Sequence, residues 1–134
     1  MRFMMIVKAD EQSEAGVMPD EKLLSDMTTY NEELAKSGAM LDASGLQPSS
    51  KGARVVFSGG KPRVIDGPFA ETKELIAGFW LIQAKSLDEA IEWARRVPFV
   101  EGQVEVRQVF ELEDFGDSPA IDRARELEKK MSRK

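Results

Sequence analysis

A chain of 134 residues has the length of one domain, and it can bury roughly two-thirds of its unfolded surface without staples. It contains neither cysteine nor histidine, which removes disulfides, thiolate nucleophiles, Ser-His-Asp catalysis and the usual zinc ligand sets. A formal net charge of −5 opposes nucleic acid as the main partner, because a polyanion is repelled by such a surface.

The charge is uneven. Residues 119–134 hold six basic side chains (Arg123, Arg125, Lys129, Lys130, Arg133, Lys134) against three acids, whereas residues 1–118 carry 13 basic and 21 acidic ones. A basic tail of this kind can dock on an acidic body. The opening run "MRFMMIVKADE" turns charged after Val7, too soon for a secretory apolar region of about 7–15 residues. No stretch approaches the roughly 20 apolar residues of a membrane span. The expected location is cytoplasmic, with no membrane partner.

In chain order, "RFMMIVK" (2–8) reads as a strand that is apolar on both faces: Phe3, Met5 and Val7 on one, Met4 and Ile6 on the other. Polar "ADEQSEAG" follows as a loop. A helix is expected from about Pro19 to Ser37, with Pro19 at its first position and Asp20 and Glu21 complementing the dipole. Its apolar stripe is Leu23, Met27, Tyr30 and Leu34, and Gly38 ends it. A short strand at 39–44 is stopped by Gly45 and Pro48. "ARVVFSGGKPRVID" reads as a hairpin around Ser58-Gly59-Gly60.

The most apolar strand is "LIAGFWLIQA" (75–84). Its Phe79 and Trp80 point to opposite faces, one toward a core and the other toward an interface. Ser86 and Glu89 form a capping-box pattern, and the helix they open is expected to bury Leu87, Ala90, Ile91 and Ala94. "QVEVRQVFEL" alternates as a last strand over 103–110. Ser118-Pro119 opens a final helix with a thin stripe, Ile121, Ala124, Leu127 and Met131, too weak to hold a helix of that length alone in water. It is therefore expected to pack through Ile121, Leu127 and Met131.

The order is β-α-β, a hairpin insertion, β-α-β and a C-terminal helix. Two βαβ units with antiparallel pairing between them give an α+β, ferredoxin-like sandwich. The expected division is a domain over 1–115 and a helical extension over 116–134. The two strands that are apolar on both faces belong at the centre of the sheet. Two helices cover one face only, and the other would leave an apolar patch too large for a monomer. A homodimer through that face is expected.

At "GLQP" (45–48), "DGPFAETKE" (66–74), Gly78, "DEAIEWA" (88–94) and "VEVR" (104–107), the chain resembles the DGPF branch of the YCII-related family over residues 1 to about 112. The resemblance implies a dimeric α+β barrel with a pocket between sheet and helices. Most members of that family have no assigned activity. One branch is associated with lyase-type removal of chloride from a chlorinated aromatic, and some relatives are joined to alternative sigma factors. Shorter members pair a catalytic histidine with an aspartate, and with no histidine here only Asp66 and its neighbours carry over.

Asp66 has two readings. An Asp at the start of an Asp-Gly-Pro turn can simply bond backbone amides ahead of it. Alternatively it points into a pocket roofed by Phe69, where desolvation would fit it for acid–base work. Glu71, Lys73 and Glu74 are either a solvated face or a pocket rim leading into the central strand. Tyr30 belongs first to the core and second to a pocket. Arg107 either pairs with Glu105 across the sheet or holds an anionic substrate. Glu71 and Glu74 lack a third ligand, so no metal and no cofactor is expected. Three functions follow: a small-molecule lyase or isomerase using Asp66, a non-catalytic regulatory module with a sigma factor as partner, or a structural dimer.

Overall fold

The computed structural model describes residues 1–132; Arg133 and Lys134 of the basic tail lie outside them. Six strands and four helices follow in the order β1 (Arg2–Lys8), α1 (Glu11–Glu14), α2 (Glu21–Lys36), β2 (Met40–Gly45), β3 (Ala53–Ser58), β4 (Lys61–Asp66), β5 (Ile76–Gln83), α3 (Leu87–Arg95), β6 (Val104–Gln108) and α4 (Pro119–Ser132). Short 3-10 turns sit at Ser49–Lys51, Thr72–Glu74 and Leu112–Phe115. No helix among the described residues is long and apolar enough to cross a membrane.

The main sheet has the order β2-β5-β1-β6, antiparallel throughout, which is the ferredoxin-like arrangement. β1 and β5 are central, as their two apolar faces require. The register places Met5 opposite Trp80 and Phe3 opposite Ile82. These four side chains meet Tyr30 and Leu34 of α2 and Ala90 of α3, and each is at most 4% exposed. At about 25 cal/mol per Å² of apolar surface removed from water, this layer is the main source of stability.

On the other face, Met4, Ile6, Phe79 and Leu81 form adjoining rows and are only half-buried. Trp80 is thus the core member of the Phe79–Trp80 pair. Its ring meets the edge of Tyr30 at 5.5 Å, with the planes at 77°. The β3–β4 hairpin forms a separate two-stranded sheet in which every residue is exposed. Its turn needs positive φ at both central residues, supplied by Gly59 and Gly60. One face of the hairpin carries Val55, Phe57, Pro62 and Val64.

Four local expectations change. The segment expected as a loop after β1 contains α1, because Asp10 accepts the Ser13 N–H and Ser13 Oγ accepts the Asp10 N–H, closing a capping box. α2 begins at Glu21 rather than Pro19, since the Asp20 carboxylate accepts the Leu23 N–H at 2.8 Å and makes Asp20 the cap. Ser86 does accept the Glu89 N–H, but the Glu89 carboxylate reaches Lys85 N instead of closing the box, and Leu87 is 50% exposed.

The fourth change concerns α4, which packs against the 3-10 turn at Leu112–Phe115. Ile121 and Ala124 are half-buried, whereas Leu127 and Met131 stand 58% and 63% exposed. The far half of the expected stripe therefore does not pack.

Candidate functional site

A hollow of about 590 Å³ opens between the sheet and the first half of α2. Three segments that are not contiguous in sequence build it: Gly16–Pro19 with Leu23, Met27 and Asn31 of α2; Ala43–Pro48 at the end of β2; and Ala77–Trp80 of β5, with Phe99. A smaller hollow of about 350 Å³ lies at the opposite end of the central strands, beside Gly38, Gln83 and Trp93. The larger one has the size and the apolar walls of a small-molecule site.

Its wall at Gln47–Pro48 is held from behind. The Glu14 carboxylate accepts the Ser49 N–H at 2.9 Å and also the Ser49 hydroxyl, which ties α1 to the loop after β2. Ser49 Oγ in turn accepts the Phe69 N–H at 3.0 Å. The Gly67 N–H donates to the Gly52 carbonyl at 3.0 Å. A Cβ on Gly67 would stand 1.8 Å from the Ser49 carbonyl oxygen, so only glycine lets the two segments approach this closely. The Asp-Gly-Pro-Phe turn thus braces the loop that walls the cavity.

The floor of the cavity has one oriented polar group. Trp80 Nε1 donates to Asn31 Oδ1 at 2.7 Å. Trp80 is 3% exposed and cannot rotate away.

The residues expected to form the site are not brought together there. None of Asp66, Phe69, Glu71, Lys73, Glu74, Tyr30 and Arg107 lines the cavity. Asp66 ends β4 with its side chain exposed. Phe69 is half-buried, with the Arg54 guanidinium 3.8 Å from its ring centroid; it therefore faces the hairpin rather than roofing the cavity. Glu71, Lys73 and Glu74 are exposed around the turn before β5.

Arg107 pairs with Glu105 at 3.3 Å along β6 itself, on the face away from the helices, and not across the sheet. Tyr30 is a core residue. Its hydroxyl donates to the Trp93 carbonyl at 2.6 Å, and burial pushes its pKa up to about 12. The cavity residues that went unread are Asn31, Trp80 and the Gly16–Pro19 segment. Their available signals were an amide flanking the buried stripe of α2 and a run of apolar residues inside an otherwise acidic stretch.

An uncharacterized protein of Rhizobium meliloti (strain 1021) is 40% identical over 76 residues, covering 57% of this chain and 61% of the relative. The matched region thus spans about three-fifths of that relative's length. Among solved structures, 5-chloro-2-hydroxyhydroquinone dehydrochlorinase of Burkholderia phenoliruptrix AC1100, in complex with 2,5-dihydroxybenzoquinone, aligns with a TM-score of 0.44 at 14% identity. That alignment covers 83% of this chain and 95% of the enzyme. The YCII-related domain matches residues 1–113, from β1 through the turn before α4. The chain belongs to the YCII-related family.

Proposed function

We propose that this YCII-related chain is a small-molecule-binding protein of the DGPF branch, working as a homodimer and holding its ligand in the cavity under α2. The observation that carries the reading is the 590 Å³ cavity itself, apolar in its walls and furnished with a fixed carboxamide at Asn31. Among the described residues lining it there is no acid or base. Binding is therefore the function it supports best, ahead of lyase or isomerase chemistry with Asp66 as acid/base. The second copy belongs on the sheet face bearing Met4, Ile6, Phe79 and Leu81, where a lone chain leaves apolar side chains half in water.

A thermal-shift screen against aromatic and carboxylate metabolites tests the reading. A ligand present at about 100 times its Kd adds about 2.7 kcal/mol. The Ala43→Phe variant places a ring in the cavity and should cancel every genuine hit while the chain stays folded by circular dichroism. Hits that survive Ala43→Phe, or a screen that yields none, would refute the assignment.

A further inference from the structure

We infer that the cavity selects an uncharged apolar molecule bearing a hydrogen-bond acceptor, and that Asn31 is the donor that recognises it. The inference rests on the cavity being the binding site and names the ligand class it takes.

The walls exclude charge. Leu23, Met27, Trp80 and Phe99 supply apolar surface, and the polar side chains among them, Ser13, Asn31, Ser44 and Gln47, are all neutral. A carboxylate or ammonium placed there would lose water without meeting a counter-charge, which costs several kcal/mol per ion. Ser44 and Gln47 are exposed and already solvated. The Ser13 hydroxyl is occupied by Asp10, donating to its carbonyl at 3.1 Å and accepting its N–H at 2.9 Å.

Asn31 differs from these three. An indole N–H can only donate, so the Asn31 atom facing Trp80 Nε1 must be the carbonyl oxygen, and the amide cannot flip. Its Nδ2 group therefore points the other way, and no protein acceptor bonds it among the described residues. It is not sealed off either, since no buried side-chain nitrogen or oxygen lacks a partner. Asn31 is one of the residues lining the cavity. A pre-oriented donor in an apolar cavity matches a carbonyl or ether oxygen on an apolar skeleton. Because the site holds a donor in place, a ligand without the acceptor leaves that donor unpaired, and discrimination follows.

The experiment compares three probes of one skeleton on the intact chain by equilibrium dialysis: 2-acetylnaphthalene, 2-ethylnaphthalene and 2-naphthoate. The ketone is expected to bind at least tenfold more tightly than either the hydrocarbon or the carboxylate. The Asn31→Asp variant keeps an acceptor for Trp80 but loses the donor, and it should erase the ketone's advantage over the hydrocarbon. Equal binding of ketone and hydrocarbon, tightest binding of the naphthoate, or a preference that survives Asn31→Asp would each overturn the inference while leaving the cavity a binding site. Failure of all three probes to bind, with screen hits that Ala43→Phe still cancels, would overturn the inference and leave the cavity a binding site. The wild-type comparison stands without the variant should Asn31→Asp not fold.

Discussion

Replacing Tyr30 with phenylalanine tests the core at a point where two independent magnitudes can be worked out. The hydroxyl donates to the Trp93 carbonyl at 2.6 Å, but that carbonyl also accepts the Arg96 N–H at 3.1 Å. The acceptor is not orphaned, so Tyr30→Phe should cost only about 1 kcal/mol, or roughly 3–5 °C in Tm for a chain of this size. The second magnitude comes from titration. Burial raises the phenol from 10.0 to about 12, so the unfolded chain loses this proton first as pH rises. The folded state then binds more protons than the unfolded one between about pH 10 and 12, and stability must fall with pH across that window. By pH 11 the loss is on the order of 1 kcal/mol.

Phenylalanine cannot ionise and escapes this loss. Urea melts of the two proteins at pH 8, 10 and 11 should therefore converge, with the deficit of the variant gone near pH 11. A constant gap across this range would refute the burial argument, and an unchanged Tm at pH 8 would refute the hydrogen-bond one.

Gly67→Ala should be among the most damaging single changes, because its Cβ would collide with the Ser49 carbonyl. A loss of about 2 kcal/mol or more is expected in chemical denaturation, together with weakened binding in the cavity whose wall it braces. Asp66→Asn, at an exposed side chain, should shift stability by less than about 0.5 kcal/mol and leave cavity binding intact, as titration would report. With the proposed second copy on the Phe79 face, Phe79→Glu should give a folded monomer in sedimentation where the unaltered chain sediments as a dimer, whereas Trp80→Glu, at a core position, should abolish folding outright. Leu127→Glu on the exposed half of α4 should change Tm by no more than about 2 °C, and a larger drop would mean that the helix packs there.

The sequence by itself determined the layers. Phe3, Met5, Trp80 and Ile82 alternate with a second apolar set along two strands, and a strand apolar on both faces is stable only inside a sheet. That agrees with β1 and β5 at the centre, the place that two βαβ units paired antiparallel assign to them. The hairpin, the stop at Gly38 and the cap at Ser86 were likewise legible, because each depends on a few neighbouring residues. What only the tertiary structure decided is which end of the sheet stays open.

The cavity is bounded by three segments that are not contiguous in sequence, and no periodicity within any one of them marks it as a wall. The nine-residue run beginning at Asp66 pointed to an important place, but its glycine and its backbone amides face Ser49 and Gly52 rather than a ligand. Asn31 is the converse case. An amide flanking the buried stripe of α2 says nothing of its own orientation, and it becomes an oriented donor because Trp80, 49 residues away, can only donate and so fixes which way it turns.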